Sequence, residues 1–182
     1  MPKPKKEIRQ EVKRAVLALA EPQRAAESQS VCTALKSLIE KRQPRCVALF
    51  SPLRDEVDIT PLMTQLECRV VLPRVGDGAD GTPDMEFFEC DAQSLSSGAY
   101  GILEPQRGTQ CAAAEIDLMV VPGVAFASDG RRLGRGKGYY DRYLAREGFR
   151  AYTVGVCYSC QLRDDVPAEP HDKRVDEVVV AK

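Results

Sequence analysis

The 182-residue sequence predicts a single α/β domain over residues 1–182: a three-layer, Rossmann-like arrangement, with a mostly parallel sheet flanked by helices. Three observations carry this prediction. Short apolar runs alternate along the chain with segments of helical periodicity. The runs are nearly continuous in apolar residues, as strands buried on both faces require. Neither an internal repeat nor a linker long enough for a domain boundary breaks the pattern.

The elements follow in order. Ile8, Val12, Ala15 and Leu19 recur at helical spacing, and so do Val31, Leu35, Leu38 and Ile39 in a second helix ending near KRQP. Cys46–Phe50 reads as a short buried strand closed by Ser51-Pro52. Arg69–Pro73 is a second strand, ending in proline, and Met85–Cys90 a third. Ile116–Pro122 is the most apolar run. Ala151–Val156 and Glu177–Val180 complete the strands, and Ile59–Leu66 and Tyr139–Leu144 are further helical patterns. Gly76–Pro83 is a turn cluster.

Composition excludes several classes. With 43% hydrophobic and 29% charged residues the chain can bury a core, which excludes global disorder. A formal net charge of -1 and a basic stretch without interleaved aromatics argue against nucleic acid. No apolar run approaches the roughly 18 residues of a membrane span. The N-terminus, MPKPKKEIRQEV, is too charged for a secretory signal, so the 7 cysteines are expected to be reduced thiols in a cytoplasmic protein. Cys157 and Cys160 form a lone CxxC, and the single His171 is the only histidine to join it. That set is too small for a zinc site and reads as packing.

The stretch RRLGRGKGYYDRYL, Arg131 to Leu144, follows the most apolar strand and opens a helix. Ligands of such sheets bind where strands end. Gly134, Gly136 and Gly138 let backbone N–H groups approach an oxyanion. Arg131, Arg132, Arg135 and Lys137 add charge, and the following helix start adds its dipole. The spacing matches neither G-x-x-x-x-G-K-[ST] nor GxGxxG. An anion cradle and a solvated basic loop therefore both fit the spacing. Asp141 can cap the helix or, beside a polyphosphate, help hold Mg²⁺.

VPGVAFASDGRRLGRGKGYYDRYL resembles the core motif of 5-formyltetrahydrofolate cyclo-ligases. KKEIRQEV, LFSPLRDEVDITPLM, VVLPRV, MEFFEC, YGILEP and QLRDDVPAEPHDKRVDEVVV resemble that family's other segments in the same order, so nearly the whole chain is covered. The resemblance implies ATP- and Mg²⁺-dependent closure of 5-formyltetrahydrofolate to 5,10-methenyltetrahydrofolate, releasing ADP and phosphate. The formyl oxygen would be phosphorylated first. It implies small-molecule partners only, a reduced folate and ATP, and a monomer. It places Lys5 and Arg9 on the ATP phosphates, with Arg132, Leu133, Gly134, Arg135, Gly136, Lys137, Gly138, Tyr139 and Tyr140 as the ATP loop. Lys137 and Arg135 would be the catalytic cations. Arg135, Gly136, Lys137, Gly138 and Tyr139 would also border the folate, whose pterin end would bind Glu56. Asp141 and Asp172 would hold Mg²⁺, and Met85, Phe87 and Phe88 would line the folate side. One departure stands out: Ala127 occupies a position that often carries Asp in the family, and Asp129 follows two residues later. A phosphosugar isomerase or sensor on a related sheet is the alternative, and it would need neither Glu56 nor the Lys5/Arg9 pair.

Overall fold

The computed structural model describes residues 3–90, 95–98, 101 and 103–182. The YGILEP segment lies partly outside them. Seven strands form the main sheet: β1 (Cys46–Ala48), β2 (Arg69–Asp77), β3 (Pro83–Glu89), β6 (Gln110–Cys111), β7 (Leu118–Val121), β10 (Tyr152–Cys157) and β11 (Glu177–Val180). Their order is β11-β10-β7-β1-β2-β3-β6. The five strands from β11 to β2 are parallel, and β3 and β6 extend the β2 edge in antiparallel fashion. Two antiparallel pairs stand apart: β4 (Leu95–Ser97) with β5 (Leu103–Pro105), and β8 (Ala125–Phe126) with β9 (Arg132–Leu133).

Alternation along each strand divides the core into two faces. Val47, Leu49, Leu72, Leu118, Val120, Val154 and Val156 face one way and pack on α1 (Lys5–Ala18), α2 (Glu21–Arg42) and α3 (Leu62–Gln65). Cys46, Ala48, Val71, Met119, Val121 and Cys157 face the other way, toward Phe87, Phe126 and Tyr143. Among the described residues, that second side carries one α-helix, the six-residue α4 (Tyr139–Leu144). The three layers are therefore unequal, and loops do much of the covering on the α4 side.

Ile8, Val12 and Val16 form the buried face of α1, as their spacing predicts. The helix stops at Ala18 because Leu19 is extended (φ -65°, ψ 129°). α2 ends as its sequence indicates: Gln43 adopts the left-handed region at φ 52° and its N–H donates to the Ile39 carbonyl at 2.9 Å, with Pro44 next. Leu35 of α2 is fully buried. Its replacement by alanine should lower the unfolding free energy by about 2–5 kcal/mol, seen as an earlier urea midpoint with an unchanged slope.

Three expectations need correction. The second strand passes through Pro73 to Asp77 instead of ending there. Leu49 N–H donates to the Val71 carbonyl, so by alternation the amide position of Pro73 faces the same side, beyond the end of β1. A missing N–H there removes no ladder bond. The Gly76–Pro83 turn cluster shortens for the same reason: Gly76, Asp77 and Pro83 belong to the β2–β3 ladder. In Ile59–Leu66 only Leu62–Gln65 is α-helical. No helix among the described residues is long and apolar enough to cross a membrane.

Candidate active site

β1 pairs with β2 on one side and β7 on the other, so the chain order reverses between β1 and β7. The crevice beyond the carboxyl ends of such strands is the binding position of open α/β sheets. Two cavities open there. The first, about 250 Å³, is lined by Phe50, Ser51, Leu53 and Glu56 after β1, and by Pro122 and Gly123 after β7. Pro73, Val75 and Met85 of the β2–β3 hairpin form its apolar side, with Tyr139 and Tyr140 also against it. The second, about 550 Å³, lies between Lys5 and Arg9 of α1, Arg142 of α4, and His171, Asp172 and Lys173. Arg132, Gly134, Lys137, Gly138 and Asp141 line both. The glycine-rich loop is thus a wall shared by two cavities.

The β8–β9 hairpin delivers this loop. Gly136 (φ 98°) and Gly138 (φ 72°) hold backbone angles that side chains with a Cβ adopt only at a cost. No amide N–H from Gly134 to Gly138 has a hydrogen-bond partner among the described residues. Free amides beside cations form an anion cradle. α4 is too short for a large dipole, so amides and side-chain charges supply most of the field.

Each cation of the loop has its own setting. Arg132 is 6% exposed; its Nη1 donates to the Pro122 carbonyl at 3.0 Å, and its Nη2 lies 3.2 Å from Asp141. Its buried Nε has no partner. Lys137 is exposed and forms no ion pair among the described residues. Arg135 lines the first cavity and not the second. Its Nε donates to Glu56 Oε1 at 3.0 Å, and its two Nη atoms donate to Asp55 at 3.1 and 2.6 Å.

Glu56 is 9% exposed, and its Oε2 accepts the Leu53 N–H at 2.8 Å. Burial raises its pKa, against the lowering effects of Arg135 and that N–H. Tyr158 holds the segment from behind, its hydroxyl donating to the Glu56 carbonyl at 2.9 Å. Burial, helped by Glu56, also raises the Tyr140 phenol, which keeps it protonated.

In the second cavity Arg9 Nε donates to the Gly134 carbonyl at 2.8 Å, tying α1 to the loop. Lys5 sits 2.7 Å from Asp172 and 3.2 Å from Glu169. Burial pulls the Lys5 ammonium down, but those carboxylates outweigh it and leave its pKa raised. Asp141 accepts the Lys173 N–H at 3.1 Å, so both expected metal-binding carboxylates face one cavity. Among the described residues, the cluster with metal-binding spacing is Glu169, His171 and Asp172; it adds Glu169, and it places His171, weighed in the sequence only beside Cys157 and Cys160, next to Asp172.

Other expectations meet the geometry unevenly. Leu133 and Gly136 line the second cavity, whereas Tyr139 and Tyr140, expected in the ATP loop, line the first. Met85 lines the first cavity. Phe87 instead packs edge-on against Tyr143 with ring centres 4.9 Å apart, and Phe88 lies under the Arg74 guanidinium at 3.8 Å. Met85 and Phe87 share one strand face and Phe88 points to the other, so the three cannot line one wall together. Ala127 is buried at the hairpin turn, and Asp129 pairs with Arg131 and Arg174, away from both cavities. Cys157 is buried, its thiol pushed up by burial to about 12, and none of the seven cysteines is in a disulfide. Asp55, Tyr158 and Lys173 escaped the sequence reading. Only adjacency to Glu56 and Asp172 hinted at Asp55 and Lys173.

This arrangement has counterparts among known proteins. The family model described as the 5-formyltetrahydrofolate cyclo-ligase family matches residues 2–181. The NMR structure of Aquifex aeolicus 5,10-methenyltetrahydrofolate synthetase superimposes with a TM-score of 0.84 at 37% identity, covering 97% of this chain and 89% of that one. The Saccharomyces cerevisiae 5-formyltetrahydrofolate cyclo-ligase is 30% identical over 94% of this chain and 92% of its own. The Mycolicibacterium smegmatis protein of the same name is 31% identical over 76% and 74%. With the family model matching residues 2–181 and the fold superimposing over 97% of the chain, this protein belongs to the 5-formyltetrahydrofolate cyclo-ligase family and is a ligase.

Proposed function

We propose that the protein closes 5-formyltetrahydrofolate to 5,10-methenyltetrahydrofolate at the expense of ATP, with the folate in the first cavity and ATP in the second. The observation that carries this reading is the shared wall: Arg132, Gly134, Lys137 and Gly138 border both spaces, so a γ-phosphate and a formyl oxygen can meet across them. A phosphosugar site would need one cavity; transfer between two bound molecules needs two that meet.

Transfer of the γ-phosphoryl group to the formyl oxygen forms a C–O–P link and releases ADP. N10 then attacks the activated carbon, the C–O bond breaks, and phosphate leaves with the oxygen and the proton lost from N10. No protein nucleophile is required. The protein positions the reactants and stabilises charge. Lys137, unpaired and compact, follows the moving phosphoryl group. A cation ~4 Å from a unit phosphate charge contributes about 4 kcal/mol at an effective dielectric of 20. Arg132 offers its orphaned Nε–H to the same oxygens. Arg9 and Lys5 hold the outer phosphates from α1.

Asp141 and Asp172 suit Mg²⁺: both are hard oxygen donors, and both face the second cavity beside the expected phosphates. Bound there, Mg²⁺ would neutralise phosphate charge. Glu56 supplies folate recognition. Its two oxygens each accept one protein N–H, which leaves each one further lone pair for the paired N–H donors of a 2-amino-4-oxopyrimidine edge. Tyr139 borders the same cavity and is placed to contact the pterin.

Mixing the protein with 5-formyltetrahydrofolate, ATP and Mg²⁺ should produce methenyltetrahydrofolate absorbance, with one ADP formed per product. Absence of product, or ADP formed at the same rate without folate, would contradict the reading.

A further inference from the structure

Arg135 rises from a loop with glycine on either side and so has little local packing to fix it. An unanchored arginine would lose considerable side-chain freedom to meet Glu56. Asp55 supplies the anchor. It accepts both Nη atoms of Arg135, at 3.1 and 2.6 Å, in the two-pronged geometry that suits a guanidinium. The fork is then oriented so that the remaining Nε–H reaches Glu56 Oε1 at 3.0 Å. Asp55 does not itself line the first cavity. It acts from the rim, where its side chain is 18% exposed and that of Arg135 36%. A tight turn closed by the Glu56 N–H on the Leu53 carbonyl, 3.0 Å, sends the two neighbouring carboxylates to opposite ends of one guanidinium.

The geometry points to Asp55 as a positioning residue for folate binding: it holds Arg135 so that the Nε–H occupies one lone pair of Glu56 and leaves the cavity-facing pair to the ligand. This rests on the first cavity being the folate cavity. Burial pushes the Asp55 carboxyl up, but the Arg135 hydrogen bonds and charge outweigh it and hold it below the usual carboxylate range, consistent with an anchoring anion.

The test is calorimetric binding of 5-formyltetrahydrofolate, without nucleotide, to the wild type, Asp55→Asn, Glu56→Gln and the double variant. Asp55→Asn should bind about tenfold or more weakly, the size of a lost charge-assisted bond. In the Glu56→Gln background the same change should matter less than about twofold, because Asp55 acts through Glu56. Asp55→Ser, which also removes the two-pronged acceptor, should repeat the loss. An ATP analogue should bind all five proteins alike, which a general loss of structure would not permit. Wild-type folate affinity in Asp55→Asn, or losses that simply add in the double variant, would overturn the proposal. A wild type that binds no 5-formyltetrahydrofolate would instead overturn the functional reading, and this inference with it.

Discussion

Lys137→Ala should lower turnover by about 10²–10³-fold, the effect of removing one preorganised charge partner from a developing oxyanion. Lys137 borders both cavities, is exposed, and has no carboxylate partner among the described residues to satisfy. Its charge is therefore free for the phosphoryl group. Exposed substitutions away from caps and cores usually change stability by no more than about 0.5 kcal/mol, so the variant should melt like the wild type. KM for the folate should hold, because the proposed pterin contact is made by Glu56. Lys137→Arg should recover only part of the rate: a planar fork replaces a point charge on a flexible stem. Steady-state kinetics beside a thermal melt checks both halves. Wild-type kcat in the alanine variant would remove Lys137 from the mechanism.

Glu56→Gln should reduce kcat/KM for the folate by about 10²–10³-fold, as expected when hydrogen bonds to a buried charge worth roughly 1.5–3 kcal/mol each are lost. Glutamine nearly preserves shape but turns one acceptor into an NH₂ donor. That donor faces either the Leu53 N–H, the Arg135 Nε–H or the ligand's own N–H, and each pairing is donor against donor. Most of the loss should fall on folate KM. ATP affinity should be unchanged, since Glu56 does not line the second cavity. Equal losses in both substrates would mean that the substitution had disturbed the fold instead of the pterin contact.

Much of the scaffold was legible in the sequence because buried parallel strands have a local signature. Cys46–Ala48 and Leu118–Val121 fall within the apolar runs that predict them, and Tyr152–Cys157 overlaps Ala151–Val156 with one residue beyond it. β2 was harder. Proline normally ends a central strand, and only the early termination of its neighbour β1 explains why Pro73 is tolerated. The three-residue strands β4 and β5 lack any run long enough to show periodicity.

The site was legible where one segment carries it. The glycine-cation loop is local, and the crossover order placed it at a strand end. What could not be read is the meeting of segments far apart in sequence. Arg135 carries the same residue type and spacing as a phosphate ligand, yet it is tied to Asp55 and Glu56, about eighty positions away in sequence. Tyr139 and Tyr140 both turn to the first cavity, which a motif cannot specify. Arg9 reaching the Gly134 carbonyl likewise depends on how α1 packs.

The central claim is that the shared wall joins ATP to the formyl oxygen. The most direct measurement uses 5-formyltetrahydrofolate labelled with heavy oxygen in the formyl group and follows the label by mass spectrometry. One heavy oxygen is expected in each phosphate released, with none passing to water. Unlabelled phosphate with the heavy oxygen in water would contradict it.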